Sequence, residues 1–440
     1  MSGRDGFFAR LFRPWNPRTP REASEAVVRN VWLHAFPARI TKRSLSWLAS
    51  GWLGTASLHL FIVLSITGVV LMFLYVPSVE RAYQSVKDIE FVVSFGAWIR
   101  GTHRVAAHLM VIAVVLHLVR VFLTGAYKKE GAPGAHRPLN WCVGLALLVL
   151  TFALSFTGYL LPWDQLAYWA VTVGTQIAAA APLVGEELRQ LLLGGTVVGQ
   201  PTLLRFYVLH CFVLPAVTIF LVAWHMWRIR KDGGLAVADR VSDDAREQAA
   251  ITPPPPGKTY TLMGTTKGGT VSSVSSAGLL EQASTPSVPA IPRRSLAVFL
   301  AVLALCSVLG LLLHAPLEEP ANPAVTPNPA KAPWYFLWLQ ELVSILTFRI
   351  GSFIVDGTLV GGILIPGVLI GVLGVWPYLD KSPAAAAGVW FHPSRKVQNR
   401  VFLLLLFACV LLTIIGMYFR GPYWAWTWPW AEGHAHPTLT

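Results

Sequence analysis

The amino-acid sequence predicts an all-α integral membrane protein with seven transmembrane helices. Hydrophobic residues make up 54% and charged residues 13% of its 440 residues, whereas a soluble domain of this size normally carries about twice that charged fraction. The apolar residues are gathered in runs of roughly 20, the length that an α-helix needs to cross a bilayer. The predicted spans are Leu53–Val76, Val105–Leu123, Trp141–Leu161, Phe206–Trp227, Leu296–Leu313, Phe353–Trp376 and Val401–Tyr418.

The positive charges lie mainly on one side of these spans. Of the 35 Lys and Arg residues, 25 fall in the N-terminal 50 residues and in the segments that follow the second, fourth and sixth spans. Because positively charged loops stay in the cytoplasm, we expect a cytoplasmic N-terminus in a bacterial inner membrane, without a nucleic-acid partner. No signal-peptide pattern begins the chain.

Composition divides the chain into five segments. Residues 1–50 form a cytoplasmic segment with an amphipathic surface helix near residues 24–32, and residues 51–231 form a four-helix unit. Residues 232–292 are rich in Pro, Gly and Ser, which predicts a cytoplasmic linker. Residues 293–420 form a three-helix unit, and residues 421–440 form a Trp-rich tail.

Two spans each carry a pair of histidines at a matched spacing. His103 and His117 are 14 residues apart on the second span, and His210 and His225 are 15 apart on the fourth. At ~1.5 Å and ~100° per residue, each pair lies on one helix face, ~21–22 Å apart along the axis. Both spans run in the same direction, which pairs His103 with His210 near the outer face and His117 with His225 near the inner face. These pairs predict two bis-histidine b haems suited to electron transfer; carbonyl bonding or a proton path is the weaker alternative.

Other candidate ligands fit less well. His108 is five residues from His103, which turns it ~140° away from the ligand face, and His59 is isolated and better suited to packing. The four cysteines form neither CxxC nor CxxCH, so we expect no covalent haem and no iron–sulfur cluster on this chain.

Glycines repeat at the histidine interval on the other two spans of the four-helix unit. Gly54 and Gly68 are 14 residues apart on the first span, and Gly144 and Gly158 are 14 apart on the third. A flat macrocycle between helices needs a missing side chain at its own depth, so this repeat indicates haem. Ordinary close packing of membrane helices is the alternative for either pair alone.

Arginines flank both predicted haems. Arg100, Arg104 and Arg205 lie around the outer site, and Arg120 and Arg230 lie just beyond the inner histidines. An arginine at this depth is costly unless it is paired, and haem propionates are the expected partners. Arg230 is the one best placed to reach lipid headgroups instead.

Three longer motifs contain these residues. They are His103-Arg104 with His117-Leu118-Val119-Arg120-Val121-Phe122-Leu123-Thr124-Gly125, Thr157-Gly158-Tyr159-Leu160-Leu161-Pro162-Trp163-Asp164-Gln165, and Arg205-Phe206-Tyr207-Val208-Leu209-His210. In these motifs the chain resembles the cytochrome b subunit of the bc1 and b6f complexes, over roughly residues 25–230 and 294–420. The 15-residue histidine interval and the absence of an eighth span resemble the b6f branch. The four-helix part and the subunit-IV-like three-helix part, usually separate chains there, are fused here.

The chain departs from that family at two positions. Trp52 stands where the b6f branch has the cysteine that tethers an additional haem, so no covalent haem is expected. The segment Ala332-Pro333-Trp334-Tyr335 has proline where the family's Pro-Glu-Trp-Tyr motif has glutamate. Oxidising a quinol requires a proton acceptor, for which Glu341 is the first candidate and Asp164 the second. A pairing of Glu341 with a cation such as Arg349, or exposure to water, is an equal alternative.

The resemblance implies a Q-cycle. A quinol binds near the outer face between the Pro162–Gln165 loop and the segment containing Tyr335. One electron passes to a Rieske iron–sulfur protein and the other through the outer and inner haems to a quinone near the inner face. A cytochrome c-type subunit or carrier and a homodimer of the complex are further expected partners. A di-haem quinone-reactive anchor of another oxidoreductase is the alternative function, and a transporter is less favoured.

Overall fold

All seven predicted spans are helices in the computed structural model, which describes residues 39–128, 136–232, 234–235 and 284–430. Within these residues, the helices are α1 (Trp47–Ser50), α2 (Leu53–Leu74), α3 (Ala82–Phe91), α4 (Gly96–Leu123), α5 (Arg137–Tyr159), α6 (Gln165–Ala179), α7 (Gly185–Leu193), α8 (Gln200–Lys231), α9 (Ser287–Leu312), α10 (Trp334–Ile345), α11 (Thr358–Leu379) and α12 (Lys396–Tyr418). Those long and apolar enough to cross a membrane are α2, α4, α5, α8, α9, α11 and α12.

The number and order of the spans were predicted correctly, whereas several starts were not. Helix α4 begins at Gly96 and α8 at Gln200, so polar first turns that lower the local hydropathy belong to the helices. Helix α11 begins later than predicted. The residues before it form an antiparallel hairpin of β3 (Phe348–Ile350) and β4 (Phe353–Val355).

A short antiparallel pair of strands joins the segment before α1 to the segment before α9. Strand β1 (Arg39–Thr41) pairs with β2 (Ser284–Pro286), and α9 begins directly after β2 at Ser287. The end of the predicted linker is therefore strand and helix. The linker from 236 to 283 and the amphipathic helix predicted near residues 24–32 lie outside the described residues.

The three-helix unit packs directly on the four-helix unit. Helix α9 crosses α4 where Gly101 meets Gly310, and a Cβ atom at Gly101 would collide with the Gly310 carbonyl oxygen. Small residues at such crossings let two backbones touch, which is how membrane helices gain contact without a hydrophobic driving force. The fully buried Cys306 fills the same interface between α2, α4 and α9, consistent with a packing role.

A buried polar cluster joins the two units at the end of the bundle that holds His117. Asp380, directly after α11, accepts a hydrogen bond from Tyr127 (2.8 Å) and pairs with Arg395 (3.2 Å) and Lys128 (3.3 Å). Burial acts to raise the pKa of the Asp380 carboxyl, but hydrogen bonds from Ser382 and Tyr127 and the charge of Lys128 outweigh it and hold that pKa well below its usual range. The cluster fixes these ends of α4, α11 and α12 together.

Candidate functional site

The first histidine pair brings α4 and α8 together. The ring centres of His103 and His210 are 6.3 Å apart. Nδ1 of His210 lies 3.0 Å from the Leu154 carbonyl oxygen, and a carbonyl only accepts, so Nδ1 carries the proton. Nδ1 of His103 lies 2.8 Å from the Thr67 hydroxyl, whose own proton goes to a backbone carbonyl. Both imidazoles therefore keep an unprotonated Nε2, the form that binds a metal.

The second pair repeats this arrangement nearer the other end of the bundle. The ring centres of His117 and His225 are 6.4 Å apart, with the rings at 83°. The first pair has its rings at 76°. Each helix therefore supplies one imidazole at each of two depths, as the sequence predicted.

Both separations fit a metal ion held between two imidazoles. An imidazole nitrogen binds a metal at ~2 Å and lies ~1.1 Å from the centre of its ring, so two ligands on opposite sides put the ring centres ~6.2 Å apart. The observed 6.3 and 6.4 Å match this value. The residues present therefore fit two bis-histidine haems.

A π-helical turn explains why the two histidine intervals differ. Leu209–Val213 form one π turn inside α8, and this turn contains His210. Pro215 follows it; proline lacks the backbone N–H and its ring clashes with the carbonyl four residues earlier, which favours such a turn. A π turn accommodates one extra residue, so the 15-residue interval on α8 presents its histidines like the 14-residue interval on α4.

Each glycine of the two matched pairs faces one of the four histidines. A Cβ atom at Gly54 or Gly68 would lie 3.2 Å from Cε1 of His117 or His103, respectively. On α5, the Cβ would lie 3.5 Å from Cε1 of His225 at Gly144 and 2.5 Å from Cε1 of His210 at Gly158. The glycines thus make room for the imidazoles, a role that the sequence argument had given only to the macrocycle.

The arginines have protein partners of several kinds. Arg100 donates to Glu90 (2.7 Å) and to the carbonyl oxygens of Ala315 and Pro316. Arg104 lies near the His314 carbonyl, and Arg120 donates to the Ala49 carbonyl at 3.0 Å. The guanidinium of Arg205 packs against Gly194, and Arg230 is half-buried at the end of α8. Propionate pairing stays a prediction for these residues.

The two segments expected to border the outer quinol site are in contact. Gln165 donates its backbone N–H to the Glu319 carbonyl (2.8 Å), and its side chain accepts from the Asn322 backbone (2.7 Å). Asp164 caps α6 through the Ala167 N–H (2.9 Å) and also accepts from the Glu318 N–H. Burial raises the pKa of Asp164 against the effect of these bonds. Asp164 therefore holds this corner together.

Glu341 is fully buried between α10 and the chain after α12. Nε of Arg420 donates to both carboxylate oxygens (3.0 and 3.1 Å), and the Trp424 indole donates at 3.0 Å. Both oxygens are thus engaged by the protein. This arrangement favours the structural role that the sequence left open, with Arg420 instead of Arg349 as the cation.

One histidine that was not predicted to belong to a site, His108, contacts the residues that begin α10. His108 accepts a 2.7 Å hydrogen bond from the Trp334 indole N–H, and the two rings are nearly parallel, at 20°, with their centres 6.3 Å apart. It also contacts the ring of Tyr335, which is 8% exposed and whose pKa burial raises to about 12. From the sequence, His108 was considered only as a haem ligand and was rejected because it points away from the ligand face of α4. Its rotation away from that face is what points it toward α10.

The fold and the two histidine pairs define a multi-pass membrane cytochrome of the b type. Residues 40–233 match the family described as cytochrome b/b6/petB, and residues 320–431 match that described as cytochrome b (C-terminal)/b6/petD. The chain belongs to the cytochrome b/b6 family.

Individual relatives agree with this assignment. Cytochrome b6 of Synechococcus sp. (strain JA-3-3Ab) is 44% identical over 181 residues, covering 41% of this chain and 81% of that protein. Cytochrome b6 of Porphyra purpurea is 46% identical over 173 residues, covering 39% and 78%. A chain of a hyperthermophilic respiratory complex III shares the fold with a TM-score of 0.65 at 23% identity, covering 89% of each chain.

Proposed function

We propose that the chain is the cytochrome b subunit of a quinol oxidoreductase whose acceptor is cytochrome c or a similar carrier. In this function it carries electrons from an outer quinol-oxidation site to an inner quinone-reduction site and contributes to proton translocation. The single observation that carries the proposal is the pair of histidine contacts at 6.3 and 6.4 Å on α4 and α8. Electron transfer across a membrane requires binding sites at two depths, and the same two helices supply both.

The four histidines have distinct tasks in this proposal. His103 and His210 hold the outer haem, and His117 and His225 hold the inner one. Haem, when bound, supplies a carrier that takes and gives one electron. The Nδ1 contacts of His103 and His210 fix the orientation of the imidazoles, which is the usual task of the second nitrogen of a metal-binding histidine.

The outer quinol site lies where the Pro162–Gln165 loop meets residues 318–322 and the start of α10. In this proposal Tyr335 lines the site. Asp164 shapes it by capping α6, and Glu341 holds α10 against α12. The proton acceptor is then a group other than a carboxylate at position 333, because Pro333 occupies that place.

The inner quinone site is supported by a cavity at the end of the bundle that holds His117. It measures about 530 Å³, and Arg120 is its charged lining residue. The other lining residues include Trp47, Leu48, Gly51, Leu53 and Trp390. An apolar cavity with one charged group suits a quinone head. Trp52, buried beside it, stands where a tethering cysteine would be, so both haems are non-covalent.

The partners and location follow from the same proposal. They are a Rieske iron–sulfur protein, a cytochrome c-type subunit or carrier, and a second copy of the complex. The positive-inside bias supports a cytoplasmic N-terminus and a location in a bacterial inner membrane. Residues 51–231 then act as the haem unit and 293–420 as the unit that completes the outer site. A di-haem anchor of another oxidoreductase would leave that second unit without a task.

The test is His210→Leu in the purified complex, with His314→Leu as the control because His314 is exposed and outside the spans. The proposal expects two b haems in redox titrations of wild type and control, and loss of the outer haem in His210→Leu. Subunit identification should find Rieske and cytochrome c partners. Both haems persisting in His210→Leu would contradict the ligand assignment.

A further inference from the structure

His108 lies in the outer half of α4 but outside the haem-binding face. Its ring is held between two aromatic residues of α10. The Trp334 ring lies nearly parallel to it (20°, centres 6.3 Å apart), and the Tyr335 ring meets it at 68°, with centres 5.8 Å apart. The segment that begins α10 is the one that the proposed function places at the outer quinol site. His108 is thus a partly exposed imidazole at that site, and neither haem binding nor packing of the helices accounts for it.

The hydrogen bond to Trp334 determines which nitrogen of His108 carries the proton. An indole N–H only donates, and it reaches Nδ1 of His108 at 2.7 Å. Nδ1 is therefore the acceptor, and neutral His108 carries its proton on Nε2. Within the described residues no hydrogen bond engages Nε2, so His108 presents an N–H donor whose orientation Trp334 fixes.

We propose that His108 is a quinol-binding residue of the outer site and donates its Nε2–H to the quinol oxygen that loses its proton. This inference rests on the proposed function. The family's carboxylate is absent here, since Pro333 occupies its position. In its place, His108 supplies a hydrogen-bond donor that stabilises the negative charge developing on the quinol oxygen. A donor aimed at a developing oxyanion in a water-poor site lowers the cost of deprotonation.

The reaction balances without His108 gaining or losing a proton. The quinol would give up two electrons, one to an external one-electron acceptor and one to the haem that His103 and His210 would hold, and would release two protons to water at the outer face. His108 holds the substrate oxygen throughout. The charged and titratable groups that the structure places beside it are Arg104, one turn earlier on α4, and Tyr335, whose ring contacts that of His108. The positive charge of Arg104 acts in the same direction as the His108 donor.

Two substitutions at position 108 separate the two nitrogens. The side-chain oxygen of His108→Asn can accept from Trp334 in place of Nδ1, but the side chain is too short to reach the position of Nε2. The amide of His108→Gln puts an N–H near the position of Nε2. His59→Asn is the matched control, because His59 is a buried histidine of α2 whose partner is Ser295.

The experiment measures kcat and KM for quinol oxidation by the intact purified complex, with decylubiquinol and with menadiol. We expect His108→Asn to lower kcat/KM about 10- to 100-fold, the range for losing a hydrogen bond to a charged group. We expect His108→Gln to stay within about threefold of wild type, since the donor is kept. Haem spectra should be unchanged in both, and His59→Asn should match wild type.

Equal losses in the Asn and Gln variants would overturn the proposal, because they would indicate packing alone; so would wild-type kcat/KM in His108→Asn. If His108→Asn does not assemble, Trp334→Phe gives the second measurement, since it removes the bond that fixes the Nε2–H form. Wild-type kcat/KM in Trp334→Phe would then overturn the proposal, and a several-fold loss with intact haems would support it. A wild-type complex that lacks two b haems or oxidises neither quinol would instead contradict the proposed function.

Discussion

Replacing Gly158 with alanine puts a methyl group against the imidazole of His210. The added Cβ would lie 2.5 Å from Cε1 and 2.9 Å from Nδ1 of that ring. Non-bonded carbon atoms rest ~3.5–4.0 Å apart, so the ring must retreat by ~1 Å or more. Bonds from imidazole to a metal keep their length within about 0.2 Å. We therefore expect Gly158→Ala to lose the outer haem or to shift its midpoint potential strongly.

The backbone itself should not suffer from this change. Gly158 lies in the last turn of α5 and has no positive φ, so its backbone conformation is one that alanine adopts without strain. Loss of haem would thus come from the collision with His210 and not from disruption of the helix. Gly371→Ala is the control, since Gly371 lies within α11, away from the four histidines, and an added Cβ there would meet open space in the part of the chain that the structure describes.

The assay is a potentiometric titration of the purified complex followed by its b-haem absorbance. Wild type and Gly371→Ala should show two b haems per chain with unchanged midpoint potentials. Gly158→Ala should show a single unperturbed component, that of the inner haem. Two components at wild-type potentials in Gly158→Ala would refute the placement of His210, and loss of the inner component instead would reverse the assignment of depths.

Three further outcomes are expected. Haem staining after denaturing electrophoresis should leave this chain unstained, because Trp52 offers no thiol for attachment; a stained band would contradict this. Glu341→Gln should destabilise the complex by roughly 2 kcal/mol, because charged hydrogen bonds are lost, and this should appear as a lower melting temperature. The pH profile of quinol oxidation should keep its shape. A shifted pH profile at unchanged stability would instead indicate that Glu341 is the proton acceptor. Asp380→Asn should lower the free energy of unfolding by about 3 kcal/mol at neutral pH. Because the pKa of Asp380 is depressed in the folded protein, this difference between wild type and variant should shrink only below about pH 4, where the unfolded carboxyl takes up its proton. A difference that already vanishes at pH 6 would exclude this cause.

The parts of the fold that depend on local pattern were predictable from the sequence. Apolar runs gave the seven spans, and helical periodicity brought His103 opposite His210 and His117 opposite His225. Helix starts were less predictable because hydropathy reports where a helix enters the bilayer and not where its hydrogen bonding begins. Helix α4 accordingly starts nine residues before its predicted span.

Contacts between distant segments were not predictable in the same way. Glu341 and Arg420 are separated by 79 residues, and no spacing rule connects them. Arg349 was the nearer cation along the chain, but it lies on β3, which pairs with β4. A buried carboxylate takes the partner that tertiary packing supplies, so only the placement of α12 against α10 decides it.

The two histidine intervals differ by one residue, and the local structure that compensates for this difference was not predicted. On a regular helix, an interval of 14 residues turns the second histidine by about −40° from the first, and an interval of 15 turns it by about +60°. Without a correction, His225 would therefore be turned ~100° away from the direction that faces His117. The π turn at Leu209–Val213 absorbs the extra residue. Pro215 is the signal in the sequence, because a proline inside a long helix must displace a hydrogen bond in the turn before it. The two histidine pairs therefore match in space, because the π turn that Pro215 favours lets the 15-residue interval on α8 face the 14-residue interval on α4.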